Sequence, residues 1–494
     1  MKIIVVSNRL PIVFEKNETE LVARQASGGL VSALVPSLKE VHGTWIGWSG
    51  GDVAEGSALE PLLADFGRRE GIDLVGVPLT ADDYSHFYEG YCNQIIWPLF
   101  HDLQSLCKFQ PEYWESSVKV QGVFAEAVKQ HASDDDLIWV QDYHLMGLGR
   151  AMADRGIRAK MAFFLHIPFP PPDIFCKLPW RKDVLKSLLQ YEVIGLQTRN
   201  DLRNFSECVE RLLPDVLQRR TSRQSRMQLE RGEAVAAVFP IGIDYDSFAE
   251  GAADPSVEKR VLELRENYAG QQVLLGVDRL DYTKGIPYRL RSFARALERY
   301  PELHRKVTLL QVIVPSRESV PQYQTIKAEI EQVVAEINGK FTEPGWVPIH
   351  HVFRHVDRQE LLAWYRLADV ALVTPLKDGM NLVAKEFCAC KIDGNGVLVL
   401  SEFAGAAEQM GRWAVRVNPY DIECVADAID LAVVMTPKER QAAMDKLRNL
   451  VRQQNVHVWI SQFLRVCGIH IDHGALLPAR EVETEEEAMP LGLA

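Results

Sequence analysis

Asp369-Val-Ala-Leu-Val-Thr-Pro-Leu-Lys-Asp-Gly-Met-Asn-Leu-Val-Ala-Lys-Glu386 runs from an apolar stretch through a Pro- and Gly-containing bend straight into helix-forming sequence. This succession predicts a strand ending near Thr374, a tight turn at Gly379 and a helix that begins near Met380. The first N–H groups of a helix have no intrahelical acceptor. Those of Met380, Asn381 and Leu382 are therefore expected to point out of the turn, where the helix dipole favours an anion such as a diphosphate. Asp378 at the mouth is an acceptor for hydroxyls, and Glu386, about two helical turns further in, is placed to meet a second polyol such as a ribose. Hydroxyls, diphosphate and ribose, in that order, are what a nucleotide sugar presents.

A hundred residues earlier the strand-like 273–277 is followed by Asp278-Arg-Leu-Asp-Tyr-Thr-Lys-Gly285. Arg279 and Lys284 thus leave the carboxyl end of a strand, which is where open α/β sheets bind ligands. Taken singly they read equally as solvated surface cations. Beside an acidic, Gly-rich turn they read as partners for a diphosphate.

The 494 residues exceed the size at which single cores stop growing, so two large domains are expected. Strand-like runs at 3–6, 45–47, 137–141, 161–167 and 193–197 alternate with helical stretches. The pattern resumes at 239–243, 273–277, 307–314, 349–352, 370–374 and 397–400. Such alternation predicts an α/β protein whose parallel sheets are covered by helices, and its length predicts two Rossmann-like domains facing across a cleft. The boundary is placed near 240–244, because polar, charge-rich sequence from Gln218 to Glu233 precedes it. The resulting division is 1–240, 241–455, a last helix at 456–466 that crosses back to the first domain, and an acidic, flexible tail at 474–494.

The formal net charge of −12, with no basic stripe to offset it, argues against nucleic acid or an anionic membrane as partner. Any phosphate must then be held by local cations and helix ends. No apolar run has the length of a membrane span, so a cytoplasmic location is expected. The eight cysteines lack paired spacing, which argues against a disulfide framework or a zinc site, and Cys388 and Cys390 read as small core residues.

Several further groups stand at predicted strand ends. Arg9 follows strand 3–6, and Ser27-Gly28-Gly29 opens an amphipathic helix over 30–41, either as close backbone approach to a ligand or as an N-cap with Gly for packing. Asp142 ends strand 137–141 and His166 ends the next, so both are expected to point into one cleft. Tyr88 and Trp97 are amphipathic aromatics suited to closing over a sugar, or to a core. Gly47-Trp-Ser-Gly-Gly51 matches a nucleophile elbow, but no clear helix is expected after it. Asp134-Asp-Asp136 reads as a solvated turn.

The set Ser7-Asn-Arg9, Ser27-Gly-Gly29, Trp45-Ile-Gly-Trp48, Trp97-Pro-Leu-Phe-His101, Asp142-Tyr-His144, His166-Ile-Pro-Phe-Pro170, Arg279-Leu-Asp-Tyr-Thr-Lys-Gly285 and Lys377-Asp-Gly-Met-Asn-Leu-Val-Ala-Lys-Glu386 resembles the trehalose-6-phosphate synthase family, retaining glucosyltransferases of the GT-B fold. The resemblance covers roughly residues 1–466. It implies that the first domain takes glucose 6-phosphate and the second UDP-glucose, without a metal or other cofactor, in a homo-oligomer. Arg9 and Arg317 match acceptor-phosphate ligands, and Tyr88 and Trp97 match acceptor-side aromatics. Asp142 and His166 match groups at the transferred glucose, lined by Gly28 and Gly29. Arg279 and Lys284 match the diphosphate clamp. Asp378, Gly379, Met380 and Asn381 match the glucose and phosphate turn, continued by Leu382 and Val383, and Glu386 matches the ribose ligand. The chain departs from the family's pattern at Pro171-Pro-Asp173 and at Asp102, where an aromatic is more usual.

Retention usually rests on a carboxylate nucleophile paired with a carboxyl acid, and no such pair is evident in the cleft. A same-face displacement is therefore expected, with Arg279, Lys284 and the helix at Met380 stabilising charge on UDP. Two other readings remain open from sequence: a glucosylglycerol-phosphate synthase using glycerol 3-phosphate, and a catalytically silent sugar-nucleotide-binding regulator.

Overall fold

A computed structural model describes residues 1–16, 21–25, 31, 34–35, 38–39, 42–317 and 320–469. Gly28, Gly29, most of the expected helix at 30–41 and the tail at 474–494 lie outside the described residues. The strands are β1 (Ile3–Arg9), β2 (Ile12–Lys16), β3 (Leu21–Gln25), β4 (Thr44–Asp52), β5 (Asp73–Leu79), β6 (Leu137–Gln141), β7 (Lys160–Phe164), β8 (Val193–Leu196), β9 (Leu217–Arg220), β10 (Gln224–Leu229) and β11 (Gly232–Val238). They continue with β12 (Gln272–Arg279), β13 (Val307–Val314), β14 (Ile349–Phe353), β15 (Val370–Val373), β16 (Val397–Ser401) and β17 (Val415–Val417).

Among the described residues, the first half forms a nine-stranded sheet in the order β5-β4-β1-β6-β7-β8-β11-β10-β9, with β2 and β3 as a separate ribbon. The second half forms a six-stranded sheet in the order β14-β13-β12-β15-β16-β17. The second sheet is parallel throughout, and the first is parallel from β5 to β11. Every residue of β6, β15 and β16 is buried. Such unbroken apolar runs suit strands covered by helices on both faces.

Two expectations are corrected here. The charge-rich 218–233, where no strand was expected, belongs to the first sheet: β10 pairs antiparallel with both β9 and β11. Its inward positions are the small or apolar Ser225 and Met227, while Arg226 between them faces water, a period-2 pattern that its polar composition obscured. Conversely, 239–243 is not a strand. Pro240 and Gly242 break the ladder, and the segment crosses between the sheets.

That crossing packs on a second one. A Cβ on Gly242 would meet the carbonyl carbon of Asn455 at 2.4 Å, and the Val456 N–H donates to Ile243 O at 3.0 Å. The following helix, Val456–Val466, lies against the first sheet, with Phe463 stacked on Trp139 at 4.5 Å and Trp459 edge-on to Phe164 at 5.0 Å. Burial of Trp459, Ile460, Phe463 and Leu464 contributes about 1.5–3 kcal/mol each.

Two smaller readings also change. A helix, Val53–Glu70, does follow the Gly47–Gly51 stretch, but Ser49 sits inside β4 and not at a strand-to-helix turn. Asp136 is buried and accepts the Lys2 N–H at 2.6 Å and the Ser133 N–H at 2.9 Å. Cys388 and Cys390 are buried free thiols. Among the described residues no helix is long and apolar enough to cross a membrane.

Candidate active site

The turn after β15 is built as its sequence requires. Asn381, at φ 69°, caps the helix Leu382–Cys390 by accepting the Ala384 N–H on its side chain. The N–H groups of Gly379, Met380, Asn381 and Leu382 have no acceptor among the described residues. The turn after β12 runs alongside, with the Leu376 N–H donating to Thr283 O at 2.8 Å. Gly285, at φ 64°, brings its α-carbon so close to Thr374 O that a Cβ would stand 2.8 Å away. Beneath both turns, fully buried Arg289 pairs with Asp278 and donates to Thr374 Oγ1 at 3.0 Å and Gln311 Oε1 at 3.1 Å. A charge this deep is stable only because its donors are matched.

Lys284 and Asp378, expected as a free cation and a free acceptor, are ion-paired with each other, and Asn381 Nδ2 donates to the same Asp378 oxygen at 3.1 Å. The positive charge left open at the turn is Arg279, exposed at the end of β12. Glu386 accepts the Tyr365 hydroxyl at 2.8 Å, and burial pushes its carboxyl up against that bond.

Across the cleft stand the ends of β6 and β7. Asp142 adopts φ 70°, ψ 169°, which turns its carboxylate back to accept the His166 N–H at 3.2 Å. Burial raises Asp142 to about 6, opposed by the Tyr143 and His166 N–H groups and by Arg317 and Arg279. Burial alone lowers His166 to about 3, so its ring is neutral at physiological pH. The turn after β15 touches this group directly. A Cβ on Gly379 would stand 2.0 Å from His166 O, and one on Gly405 1.9 Å from Gly379 O. Gly379 is glycine because three backbone segments stack there.

Beside this contact lies a cavity of about 200 Å³ lined by Arg9, Tyr84, Tyr88, Glu89, Ser316, Arg317 and Val320. Arg9 lies over the rings of Trp48 and Tyr88, at 4.9 and 5.5 Å, and reaches Tyr84 OH at 3.3 Å. Tyr88 is stacked between Tyr84 and His144. Arg317 donates to Tyr323 OH at 2.6 Å and Tyr143 OH at 3.1 Å, and its guanidinium lies 4.3 Å over Trp97. Trp97 itself is buried. Its expected open face for a sugar is occupied by Arg317, and its Nε1 points to Asp281 Oδ1 at 3.4 Å.

Asp281 is the residue that sequence reading missed. It is buried, accepts the Thr283 N–H at 2.9 Å and the Tyr323 hydroxyl at 3.2 Å, and stands 3.6 Å from Arg317 Nη1. Burial pushes its carboxyl up, but Arg317 and Lys284 outweigh this and hold it below the usual range. Its position between Arg279 and Lys284 was the available signal. Two ion pairs also bridge the halves: Lys377 with Asp102, and Arg199 with Glu408 at 3.2 Å.

Asp142, which accepts the His166 N–H, thus feels both Arg317 of the cavity and Arg279 at the end of β12, and the turn at Gly379 rests on His166 O. The sequence profile described as Glycosyltransferase family 20 matches residues 1–467. The chain belongs to glycosyltransferase family 20. This family-20 chain is 39% identical over 467 residues to the trehalose-6-phosphate synthase of Mycolicibacterium smegmatis, an alignment covering 93% of this chain and 91% of the relative. The alpha,alpha-trehalose-phosphate synthase [UDP-forming] A of Dictyostelium discoideum is 38% identical, and the alignment spans 94% of this chain but only 62% of that longer protein. Among solved structures, the Burkholderia xenovorans UDP-forming synthase in complex with glucose-6-phosphate superposes with a TM-score of 0.83, at 33% identity, over 94% of this chain and 99% of that one. The E. coli protein bound with UDP-2-fluoro glucose gives 0.84 at 33% identity, over 94% and 98%. The architecture of this family-20 glycosyltransferase is the expected GT-B fold.

Proposed function

We propose that this family-20 glycosyltransferase moves glucose from UDP-glucose to glucose 6-phosphate, giving α,α-trehalose 6-phosphate and UDP with retention at the anomeric carbon. The observation that carries this reading is the convergence on Asp142 and His166 of a cavity with two arginines and stacked tyrosines and, from the other half, of Arg279 and of N–H groups after Asp378 that have no acceptor among the described residues. The glucose-6-phosphate of the B. xenovorans neighbour and the UDP-2-fluoro glucose of the E. coli neighbour support assigning one side of the cleft to each substrate.

In this reading Arg9, Arg317 and Tyr88 take the acceptor phosphate and sugar, with Trp97 supporting Arg317 from behind. Asp142 and His166, with Gly28 and Gly29, meet the transferred glucose. Asp378, Gly379, Met380, Asn381, Leu382 and Val383 cradle glucose and phosphate, and Glu386 takes the ribose. Residues 1–240 with the returning helix form the acceptor domain and 241–455 the nucleotide-sugar domain. The protein works in the cytoplasm as a homo-oligomer, without a nucleic-acid or membrane partner.

The chemistry follows from what the carboxylates are doing. A double displacement needs a free carboxylate nucleophile, whereas Asp142 is engaged by backbone donors and Asp378 by Lys284. The acceptor hydroxyl instead attacks the face that the β-phosphate oxygen leaves, and its proton passes to that departing oxygen. Arg279 and the N–H groups after Asp378 stabilise the charge that builds on UDP, and Lys284 adds to them from its ion pair with Asp378.

Incubation with UDP-glucose and either glucose 6-phosphate or glycerol 3-phosphate, followed by UDP release, tests the reading. Release that depends on glucose 6-phosphate is expected. Release only with glycerol 3-phosphate, or none with either acceptor, refutes it.

A further inference from the structure

Gln141 and Asp142 are consecutive residues at the end of β6, and both hold His166. Asp142 accepts its backbone N–H at 3.2 Å, and Gln141 Oε1 faces its ring Nε2 at 2.9 Å. The His166 carbonyl is covered from the other half by Gly379. The backbone N–H and one ring nitrogen are therefore each hydrogen-bonded by a different neighbour, and the carbonyl is covered by close packing alone. Ring Nδ1 alone has no partner among the described residues. Gln141 is fully buried and stands in register beside Phe164, on whose ring the His166 imidazole packs at 4.7 Å. The enclosure keeps the amide against the ring, while its own Nε2 has no partner among the described residues.

We propose that Gln141 is a positioning residue that sets the ring tautomer of His166, so that Nε2 carries the proton and Nδ1 offers a lone pair to a hydroxyl of the bound sugar. An amide oxygen can only accept, so the nitrogen opposite it must be an N–H. Burial keeps the ring neutral, and a neutral imidazole has one proton to place. His166 then receives a hydrogen bond from substrate and donates none, which makes it a holder of the sugar and not a proton donor to the leaving group. The identity of the hydroxyl rests on the function proposed above; the tautomer does not.

Reversing the Gln141 amide would reverse the outcome. Its NH₂ would donate to Nε2, and Nδ1 would become the donor. Long-range ¹H–¹⁵N correlation on histidine-labelled protein separates the two, with the His166 signals identified by their loss in His166→Asn. Pyrrole-type Nε2 with pyridine-type Nδ1 is expected in the full-length protein, and pyrrole-type Nδ1 overturns the proposal. Two variants carry it to catalysis. Gln141→Leu should give mixed tautomers and lower kcat by about tenfold, the worth of one hydrogen bond, with KM for glucose 6-phosphate little changed. Gln141→Glu places a carboxylate opposite Nε2, favours the imidazolium and should add an ionisation to the pH profile of kcat. A kcat and pH profile unchanged in both variants overturns the positioning role. A protein that releases no UDP at all counts against the proposed reaction, while the tautomer is still read from the spectrum.

Discussion

Replacing Gly379 by alanine asks whether the contact between the halves sets the distance between donor turn and His166. An added Cβ would stand 2.0 Å from His166 O and 3.0 Å from Ile167 Cα, and both are backbone atoms that cannot swing aside. Retreat is blocked as well, because the Gly405 α-carbon is packed against Gly379 O from behind. Since Cβ contacts under 3.0 Å essentially never occur, turn and His166 must separate by about 1 Å. A misplacement of about 1 Å between reacting groups costs about 100-fold in rate, equivalent to about 2.7 kcal/mol of activation free energy. The overpacking itself costs about 1–3 kcal/mol of stability. The assay is kcat/KM for UDP-glucose from UDP release, paired with thermal unfolding. Gly339→Ala is the control: it lies inside the helix Pro321–Phe341 with nothing within 4 Å of its Cβ. There the added methyl should stabilise by about 0.5–1 kcal/mol and leave the kinetics alone. Wild-type kcat/KM and an unchanged melting temperature in Gly379→Ala would refute the reasoning.

Four other outcomes are expected. Arg279→Ala should lower kcat far more than it raises the acceptor KM; an effect confined to KM would mean that it binds ground and transition states alike. Arg317→Ala should raise KM for glucose 6-phosphate by the loss of charge-assisted bonds worth about 1.5–3 kcal/mol, and Arg317→Lys should fail to rescue it, because one ammonium cannot reach Tyr143, Tyr323 and the ligand together. Burial raises Asp142 to about 6 from its ordinary 3.8, so ionising it costs stability. That stability is full below the lower value and falls as pH rises through the upper one, by at most on the order of 3 kcal/mol. Asp142→Asn should therefore melt above wild type at neutral pH and lose this pH dependence, and parallel melting curves across acid pH would count against it. Asp102→Ala should raise KM for both substrates by no more than about fivefold, since a half-exposed pair is worth up to about 1 kcal/mol. The exchange Asp102→Lys with Lys377→Asp should restore KM, which steady-state kinetics at low and high salt would check.

Readings at short range and readings at long range fared differently. The strand, turn and helix around Gly379 depend on neighbours within a few residues, so apolar runs, Gly and the capping Asn381 were enough to place them. The charge-rich 218–233 hid its strands because β9 is the sheet edge and exposes most of its polar side chains, and the buried alternation of β10 at Ser225 and Met227 rests on only two side chains. Trp97 misled for another reason. An amphipathic aromatic looks the same whether its partner is a sugar or the guanidinium of a residue 220 positions away.

By itself the sequence determined two α/β halves, the strand, turn and helix at β15, the cations after β12 and membership of a glucosyltransferase family, because each is written in local periodicity and motif. Only the tertiary structure decided that Lys284 is ion-paired with Asp378, that Asp281 lies under Arg317, that Gly379 rests on the His166 backbone and that Gln141 holds the His166 ring. Each of these is a contact between segments far apart along the chain. Its energy arises from desolvation and close packing once the sheets have brought those segments together, and no local pattern of residues encodes such an encounter.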